Sequence, residues 1–339
     1  MNPFAALLAP VWFAQLFTGA KSFVDNPLIG SSRLNAMGLH AGRVRLAHGM
    51  TARRRAALAS SVSPDDRAQF DRDGVVAITD FLPGDVFTAL RQQILAHRAP
   101  VREAVQGDTI TRRLAIDPAA RHAIPALAAF QRDRRWRGLA RYVAGFDIEP
   151  LLYVQSILPN RHAAPPDPQT VLHADTFYPA MKAWLFLEDV APEHGPFAYV
   201  KGSHRLTPER IAWEREKSLH VRNGDCRLSA RGSFRVRAEE LAGLDLPQPT
   251  RFAVPANTLV IADTFGFHAR TQASHPATRI ELWAYGRRNP FRPFKGWDIW
   301  SVPGIAERRI GLRWWLGDRA AKLVPQPWKS AGIKGPADE

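Results

Sequence analysis

The sequence predicts a mainly β protein with flanking helices, on three observations. From residue 150 the chain breaks into short β-type runs at 151–158, 171–177, 183–190, 197–200, 258–262 and 279–285, separated by Pro- and Gly-containing links. Such spacing is that of an all-β sandwich or barrel. Upstream, apolar residues at helical spacing surround one β-branched run, Val75-Val76-Ala77-Ile78, and no internal repeat is visible. Hydrophobic residues make up 45% of the 339 and charged residues 23%, ordinary values for a chain with a sizeable core rather than a disordered one.

Taken in order, residues 1–62 form an apolar and then basic N-terminal segment. Residues 4–20 are almost continuously apolar but contain Pro10 and Gln15, and the stretch is shorter than the ~20 residues of a membrane span. It lacks the positive leader and small-residue cleavage site of a secretory signal. Leu8, Trp12, Phe13, Leu16 and Phe17 recur near helical spacing, followed by Lys21, Arg33, Arg43, Arg45 and Arg53-Arg54-Arg55. Two readings stand side by side: a helix lying in the interface of an anionic bilayer, or a helix docked on the protein's own core.

Ser63-Pro64-Asp65-Asp66 starts the catalytic region, residues 63–290, with Ser63 as helix cap, Pro64 in the first turn and Asp66 in the capping-box position. Asp73-Gly74 is a turn signal, Val75–Ile78 a strand and 86–97 a helix. Residues 163–169 make a Pro-rich loop, and 207–249 a charged insertion expected at the active-site rim. Residues 291–339 hold five of the ten tryptophans, Trp297, Trp300, Trp314, Trp315 and Trp328. These suit a substrate cleft, a membrane interface or packing on the barrel.

Lys and Arg exceed Asp and Glu by 46 − 32, a formal charge of +14. Such a field attracts anions, whether acidic lipid surfaces or phosphorylated molecules, or else marks a solvated basic surface. With no recognition motif and no long polybasic tail, no nucleic acid partner is expected. One cysteine, Cys226, excludes an intrachain disulfide and a multi-cysteine metal site, and fits a reducing cytoplasm. It has no evident base beside it, so a nucleophile role is not expected. Peripheral contact with the inner face of the membrane is the companion expectation of the N-terminal reading.

The chemistry concentrates in Val171-Leu172-His173-Ala174-Asp175-Thr176-Phe177. On a strand, residues two apart share a face, so His173 and Asp175 would present an imidazole and a carboxylate together. Two-His-one-carboxylate sites bind iron on one face and leave other positions open. By itself His-x-Asp is also what a hydrogen-bonded pair on a strand looks like, so a third ligand is required. The run Thr258–Ala262 leads through Asp263-Thr264-Phe265-Gly266-Phe267 to His268, and after a turn-rich link a strand begins at Arg279. An antiparallel return would bring Arg279 near His268, where its planar guanidinium suits a carboxylate. Glu281, Trp283 and Tyr285 would share its face, with Ile280 and Leu282 behind. His194, His204 and His275 read as surface residues in turns.

From about Gln69 to about Pro290 the sequence resembles the phytanoyl-CoA dioxygenase family of iron(II)/2-oxoglutarate oxygenases. The likeness rests on Phe70-Asp71-Arg72-Asp73-Gly74-Val75-Val76, Arg141-Tyr142-Val143, Gln155-Ser156 and the metal segment, then Trp184-Leu185-Phe186-Leu187-Glu188-Asp189-Val190, Pro192-Glu193-His194-Gly195-Pro196 and Lys201-Gly202-Ser203-His204. The distal histidine with an arginine eleven positions on (279 − 268) completes it. The resemblance implies a cupin-like double-stranded β-helix, or jelly roll. It implies Fe(II) on His173, Asp175 and His268, with O2 and the co-substrate 2-oxoglutarate, whose distal carboxylate would meet Arg279 while Trp184 lines its pocket. Halogenating relatives replace the carboxylate by a small residue, so Asp175 argues for hydroxylation of an unactivated carbon. The substrate would be a small molecule or a lipid or lipid-linked compound, with a soluble acyl thioester or metabolite as the alternative and a metal-free binding module as another. One departure is Arg270, where the family often has a small hydroxyl residue. It would supply a second cation for 2-oxoglutarate or face an anionic substrate.

Overall fold

The computed structural model describes residues 3–296, 299–302, 304–321 and 326–338. Its strands are β1 (Val75–Ile78), β2 (Ala99–Gln106), β3 (Thr109–Ala115), β4 (Leu151–Leu158), β5 (Met181–Phe186), β6 (Phe197–Tyr199), β7 (Thr250–Arg251), β8 (Leu259–Asp263), β9 (His268–Arg270), β10 (Arg279–Gly286) and β11 (Lys329–Lys334). They form one antiparallel sheet in the order β1-β8-β5-β10-β4-β3-β2-β11 and a second in the order β7-β6-β9. His173 joins the second sheet by an isolated bridge to His268. After β4 the chain therefore crosses repeatedly between sheets: residue 173 in the small sheet, β5 in the large, β6 and β7 in the small, β8 in the large, β9 in the small and β10 in the large. This winding is a double-stranded β-helix, a large antiparallel sheet with flanking helices.

Alternation along the strands separates two cores. Ile280, Leu282 and Ala284 of β10, with Leu185 of β5 and Leu259 and Ile261 of β8, pack outward against helix residues such as Leu90, Phe130, Leu139 and Val143. The opposite face, Trp283, Trp184, Phe186 and Tyr153, meets Phe197 and Tyr199 of the small sheet and Phe252 just beyond β7. Central strands buried on both sides read as continuous apolar runs, and each fully buried Leu or Ile contributes roughly 1.5–3 kcal/mol.

The helix Pro64–Asp73 begins as the sequence indicates, with Ser63 accepting from the Asp66 amide, and ends at Gly74 with φ 76°. Gly74 is required there, because a Cβ would lie about 2.4 Å from His204 Nδ1. The Asp66 carboxylate does not close a reciprocal cap; it pairs with Arg135 at 2.7 Å. A helix at Gly84–Ala96 follows β1.

Three features differ from the sequence reading. Residues 171–177 are not a regular strand but an extended path anchored at His173, between the short 3-10 turn Pro168–Thr170 and Pro179. The pair β2–β3 and the edge strand β11 carry charged residues on both faces, which hid their periodicity. β10 does not pair with β9; it lies between β4 and β5, and β9 pairs with β6. Arg279 and His268 line the same interior cavity from different sheets instead of facing each other along a hairpin.

The helix Pro3–Gln15 leaves Leu7, Leu8, Val11 and Phe13 exposed. The chain from Leu16 onward packs on the barrel. Arg43 of the helix Leu39–Ala56 donates to the carbonyls of Leu16, Thr18 and Ala20. Val44 and Ala47 join Phe177, Tyr178 and Phe265, and Arg55 pairs with buried Asp263 at 2.8 Å. At the other end, the helix Arg309–Ala320 and β11 cover the β2–β4 side, where Ser156 donates to the Pro336 carbonyl at 2.7 Å. Trp314 lies 6.3 Å ring to ring from Tyr153, whereas Trp297 lies outside the described residues. Among the described residues no helix is long and apolar enough to cross a membrane.

Candidate active site

His173, Asp175 and His268 come together with one candidate ligand atom each inside 4.8 Å. Each Nε2 is 3.7 Å from Asp175 Oδ1, and the two imidazole centroids are 4.5 Å apart. The reciprocal backbone bonds His173 N–H to His268 C=O and back, 2.9 and 3.0 Å, fix both histidines at the same level. His173 Nδ1 lies 2.8 Å from the Val171 carbonyl and His268 Nδ1 2.9 Å from that of Gly266. A carbonyl only accepts, so in each ring Nδ1–H donates and the lone pair sits on Nε2. Both Nε2 atoms are buried without a hydrogen-bond partner, a costly state unless something else is meant to meet them. Burial, and then the neighbouring His268, pushes the His173 pKa well below its ordinary value. Burial alone would raise the Asp175 carboxyl, but Lys182 and the imidazoles hold it well below the usual carboxylate range. His173 is thereby held neutral and Asp175 anionic, and with the Nε2 of His268 they make the donor set of a first-row divalent metal.

The three line a cavity of about 430 Å³, within the size range of small-molecule sites. On its β10 wall Arg279 donates Nε–H to Glu281 Oε2 at 2.9 Å and Nη1–H to the Gly195 carbonyl. Gln155 donates to the other Glu281 oxygen at 2.8 Å and accepts from Arg113 Nε at 2.8 Å. The Arg113 guanidinium lies 3.8 Å from the Trp283 ring centre and 4.2 Å from that of Trp328. Arg270 also reaches the cavity, but its Nη1 is held by Asp167 at 2.6 Å. Trp184 lines the cavity and lies 4.3 Å, ring to ring, from Phe197.

The sequence reading overlooked a second set of cavity residues: Lys21, Lys182, Arg287 and Arg313. Lys182 Nζ is 2.6 Å from Asp175 Oδ2, out of line for a hydrogen bond, and Lys21 donates to the Asp175 carbonyl. Burial first, and the Arg287 charge second, push the Lys21 pKa down to about 8. Arg287 donates to the Tyr178 hydroxyl and, at 3.2 Å, to that of Tyr285. Lys182 stands two residues before Trp184, and Arg287 two after Tyr285, so alternation could have found both. Nothing local marks Lys21 or Arg313. Of the histidines expected at the surface, His275 is exposed and His194 partly so. His204 is instead buried, packed at 5.4 Å from the Phe70 ring under the Gly74 turn.

Residues 70–234 match the phytanoyl-CoA dioxygenase (PhyH) family. Solved structures similar to the chain include the epimerase SnoN in complex with Fe3+, alpha ketoglutarate and nogalamycin RO (21% identity, 68% of this chain and 83% of that one, TM-score 0.44). HygX from Streptomyces hygroscopicus with nickel, 2-oxoglutarate and hygromycin B is another (15% identity, 66% and 87%, TM-score 0.41). The carbocyclase SnoK from nogalamycin biosynthesis is a third (20% identity, 68% and 85%, TM-score 0.41). No curated protein sequence matches the chain. The 70–234 match contains the His-x-Asp pair, and the fold adds His268 to it, so residues 70–234 carry a phytanoyl-CoA dioxygenase domain and the protein is a non-haem iron, 2-oxoglutarate-dependent oxygenase.

Proposed function

We propose that His173, Asp175 and His268 hold the iron(II), that Arg279 holds the distal carboxylate of 2-oxoglutarate, and that the enzyme hydroxylates an unactivated carbon. One observation carries this reading: two buried Nε2 lone pairs, locked by their Nδ1–H bonds, face one carboxylate. When bound, iron with 2-oxoglutarate and O2 supplies the oxidising power for breaking a C–H bond. The chain positions and shields. The imidazoles and Asp175 fix ligand geometry, Glu281 and the Gly195 carbonyl hold the Arg279 fork in place, and Gln155 orients Glu281. Trp184 and Phe197 wall the cavity beside the metal ligands and keep water from the reacting carbon. Asp175 occupies the carboxylate position, which favours hydroxylation over halide transfer.

Anaerobic addition of iron(II) and 2-oxoglutarate is expected to give the visible charge-transfer absorption of the chelate. His173→Ala is expected to abolish both that absorption and oxygen-dependent succinate formation, with the circular dichroism unchanged. A wild-type protein that binds iron without developing the band would reject the reading in favour of a binding module.

The exposed apolar residues Leu7, Leu8, Val11 and Phe13 of the first helix, on a chain of formal charge +14, favour a lipid or lipid-linked substrate met at an anionic membrane surface. A soluble acyl thioester or small metabolite is the competing substrate. Deletion of residues 1–11 separates them: it is expected to shift the protein from membrane to supernatant on centrifugation, and unchanged partition would remove the membrane reading.

A further inference from the structure

The cavity has two cationic ends, and they differ in how their charge is balanced. Residues 279, 281, 283, 285 and 287 alternate onto one face of β10 and its continuation, so Arg279 and Arg287 stand about 25 Å apart along the strand. Between them is a belt of rings, with Trp283 opposite Trp184 and Tyr153 in the register of β5 and β4. At the Arg279 end, Arg279, Arg270 and Arg113 face Glu281 and Asp167. That end sums to +3 − 2 = +1, which one carboxylate neutralises. At the other end stand Lys21, Lys182, Arg287 and Arg313, and among the described residues their one acidic neighbour is Asp175. This second end sums to +4 − 1 = +3, and its one acid is a proposed metal ligand.

Assembling that much like charge in a partly dry site is unfavourable, and the chain brings it together from four distant places. Lys21 comes from the N-terminal segment, Lys182 from β5, Arg287 from just past β10 and Arg313 from the C-terminal helix. Only Lys182 lies inside the 70–234 family match. Hydroxyls complete the lining: Tyr285 lines the cavity itself, and Tyr178 and Tyr285 both accept from Arg287 and leave it oriented.

We propose that this second end is a receptor for an anionic group of the primary substrate, a phosphate or carboxylate, seated beside the metal so that a carbon close to that group is the one oxidised. The inference rests on the proposed iron and 2-oxoglutarate reading, in which the Arg279 end is taken by the co-substrate.

The test compares phenyl phosphate, benzoate and neutral benzyl alcohol by calorimetry, on the full-length apoprotein and on the anaerobic protein loaded with iron(II) and 2-oxoglutarate. Phenyl phosphate is expected to bind at least tenfold more tightly than benzyl alcohol. Arg287→Leu and Arg313→Leu are each expected to weaken it about tenfold or more, to leave 2-oxoglutarate affinity within twofold, and Arg287→Lys to restore most of the loss. Arg313 is exposed, so its replacement reads the charge without the risk of unfolding. Competition by vesicles of phosphatidate in phosphatidylcholine assigns the anion to a lipid headgroup if phenyl phosphate is displaced and to a soluble molecule if it is not. Equal binding of the neutral and anionic probes overturns the proposal, and so does a loss of 2-oxoglutarate affinity in the two leucine variants with the probe unaffected. Absence of the chelate absorption in the wild type would reject the oxygenase reading and leave the probe comparison on the apoprotein to stand or fall separately.

Discussion

Arg55→Met is expected to loosen the whole enzyme, although Arg55 lies far along the chain from every metal ligand. Its Nη2 pairs at 2.8 Å with Asp263, whose side chain is fully buried, and its own side chain is 15% exposed. The other Asp263 oxygen accepts from the amides of Ala180 and Phe265, at 3.2 and 3.0 Å, and so shapes the turn that delivers His268. Removing the guanidinium leaves a buried carboxylate with one unpaired oxygen, which costs about 3–5 kcal/mol in comparable cases. The slight exposure of Arg55 places the expectation near 3 kcal/mol, a fall in Tm of about 4 °C for a chain of this size. Urea unfolding followed by tryptophan fluorescence measures it. The double variant Arg55→Met/Asp263→Asn removes the orphaned charge but keeps an amide oxygen for the two backbone donors, so most of the loss should return. A single variant within 1 kcal/mol of wild type, or a double variant no better than the single, would refute the claim that the helix Leu39–Ala56 is clamped to the barrel by a buried charge pair.

Two further outcomes are expected from the site and its surroundings. Arg279→Leu should weaken 2-oxoglutarate binding by one to two orders of magnitude in an anaerobic titration, since a charge-assisted hydrogen bond contributes about 1.5–3 kcal/mol, while iron binding stays intact; unchanged co-substrate affinity would place the distal carboxylate elsewhere. The acid limb of stability should carry His204, whose pKa burial lowers from 6.5 to about 4. A histidine with a depressed folded pKa resists protonation in the folded state, so stability is full above pH 6.5 and is lost as pH falls towards 4. That loss amounts to about 3 kcal/mol, and His204→Gln should flatten a urea-midpoint profile between pH 7.5 and 5.

The legible parts of the sequence were those whose chemistry repeats at a local period. The face shared by Arg279, Trp283 and Tyr285 on β10, the cap at Ser63 and the His-x-Asp pair each follow from neighbours two to four residues apart. Where a partner lay far away, the signal vanished. In β3, Arg112 and Arg113 point to opposite faces and both are covered, the first by donating to the Gly335 carbonyl at 3.2 Å and the second between the rings of Trp283 and Trp328. Two adjacent arginines look like solvated surface until the C-terminal extension is folded over them. Lys21 was equally silent, being 154 positions from the residue whose carbonyl it meets.

These long-range contacts also bear on how the chain divides. Residues 1–62 and 291–339 look like additions to a catalytic unit when composition is the guide. Yet Lys21, Arg313 and Trp328 line the same cavity as the metal ligands, and Arg54 donates to the carbonyls of Gly145 and Pro290 while Arg55 holds Asp263. An addition that supplies both the cavity lining and the buried charge partners cannot be removed without altering the site. The helix Pro3–Gln15 is different, for its large apolar side chains Leu7, Leu8, Val11 and Phe13 face outward. The physical boundary therefore falls before Trp12, because the Trp12 carbonyl and the Gln15 side-chain oxygen already accept from the buried Asn26 amide, ahead of the carbonyls of Leu16, Thr18 and Ala20 that Arg43 ties down. Truncation before that point changes only what the surface can touch, and truncation past Lys21 takes away part of the active site.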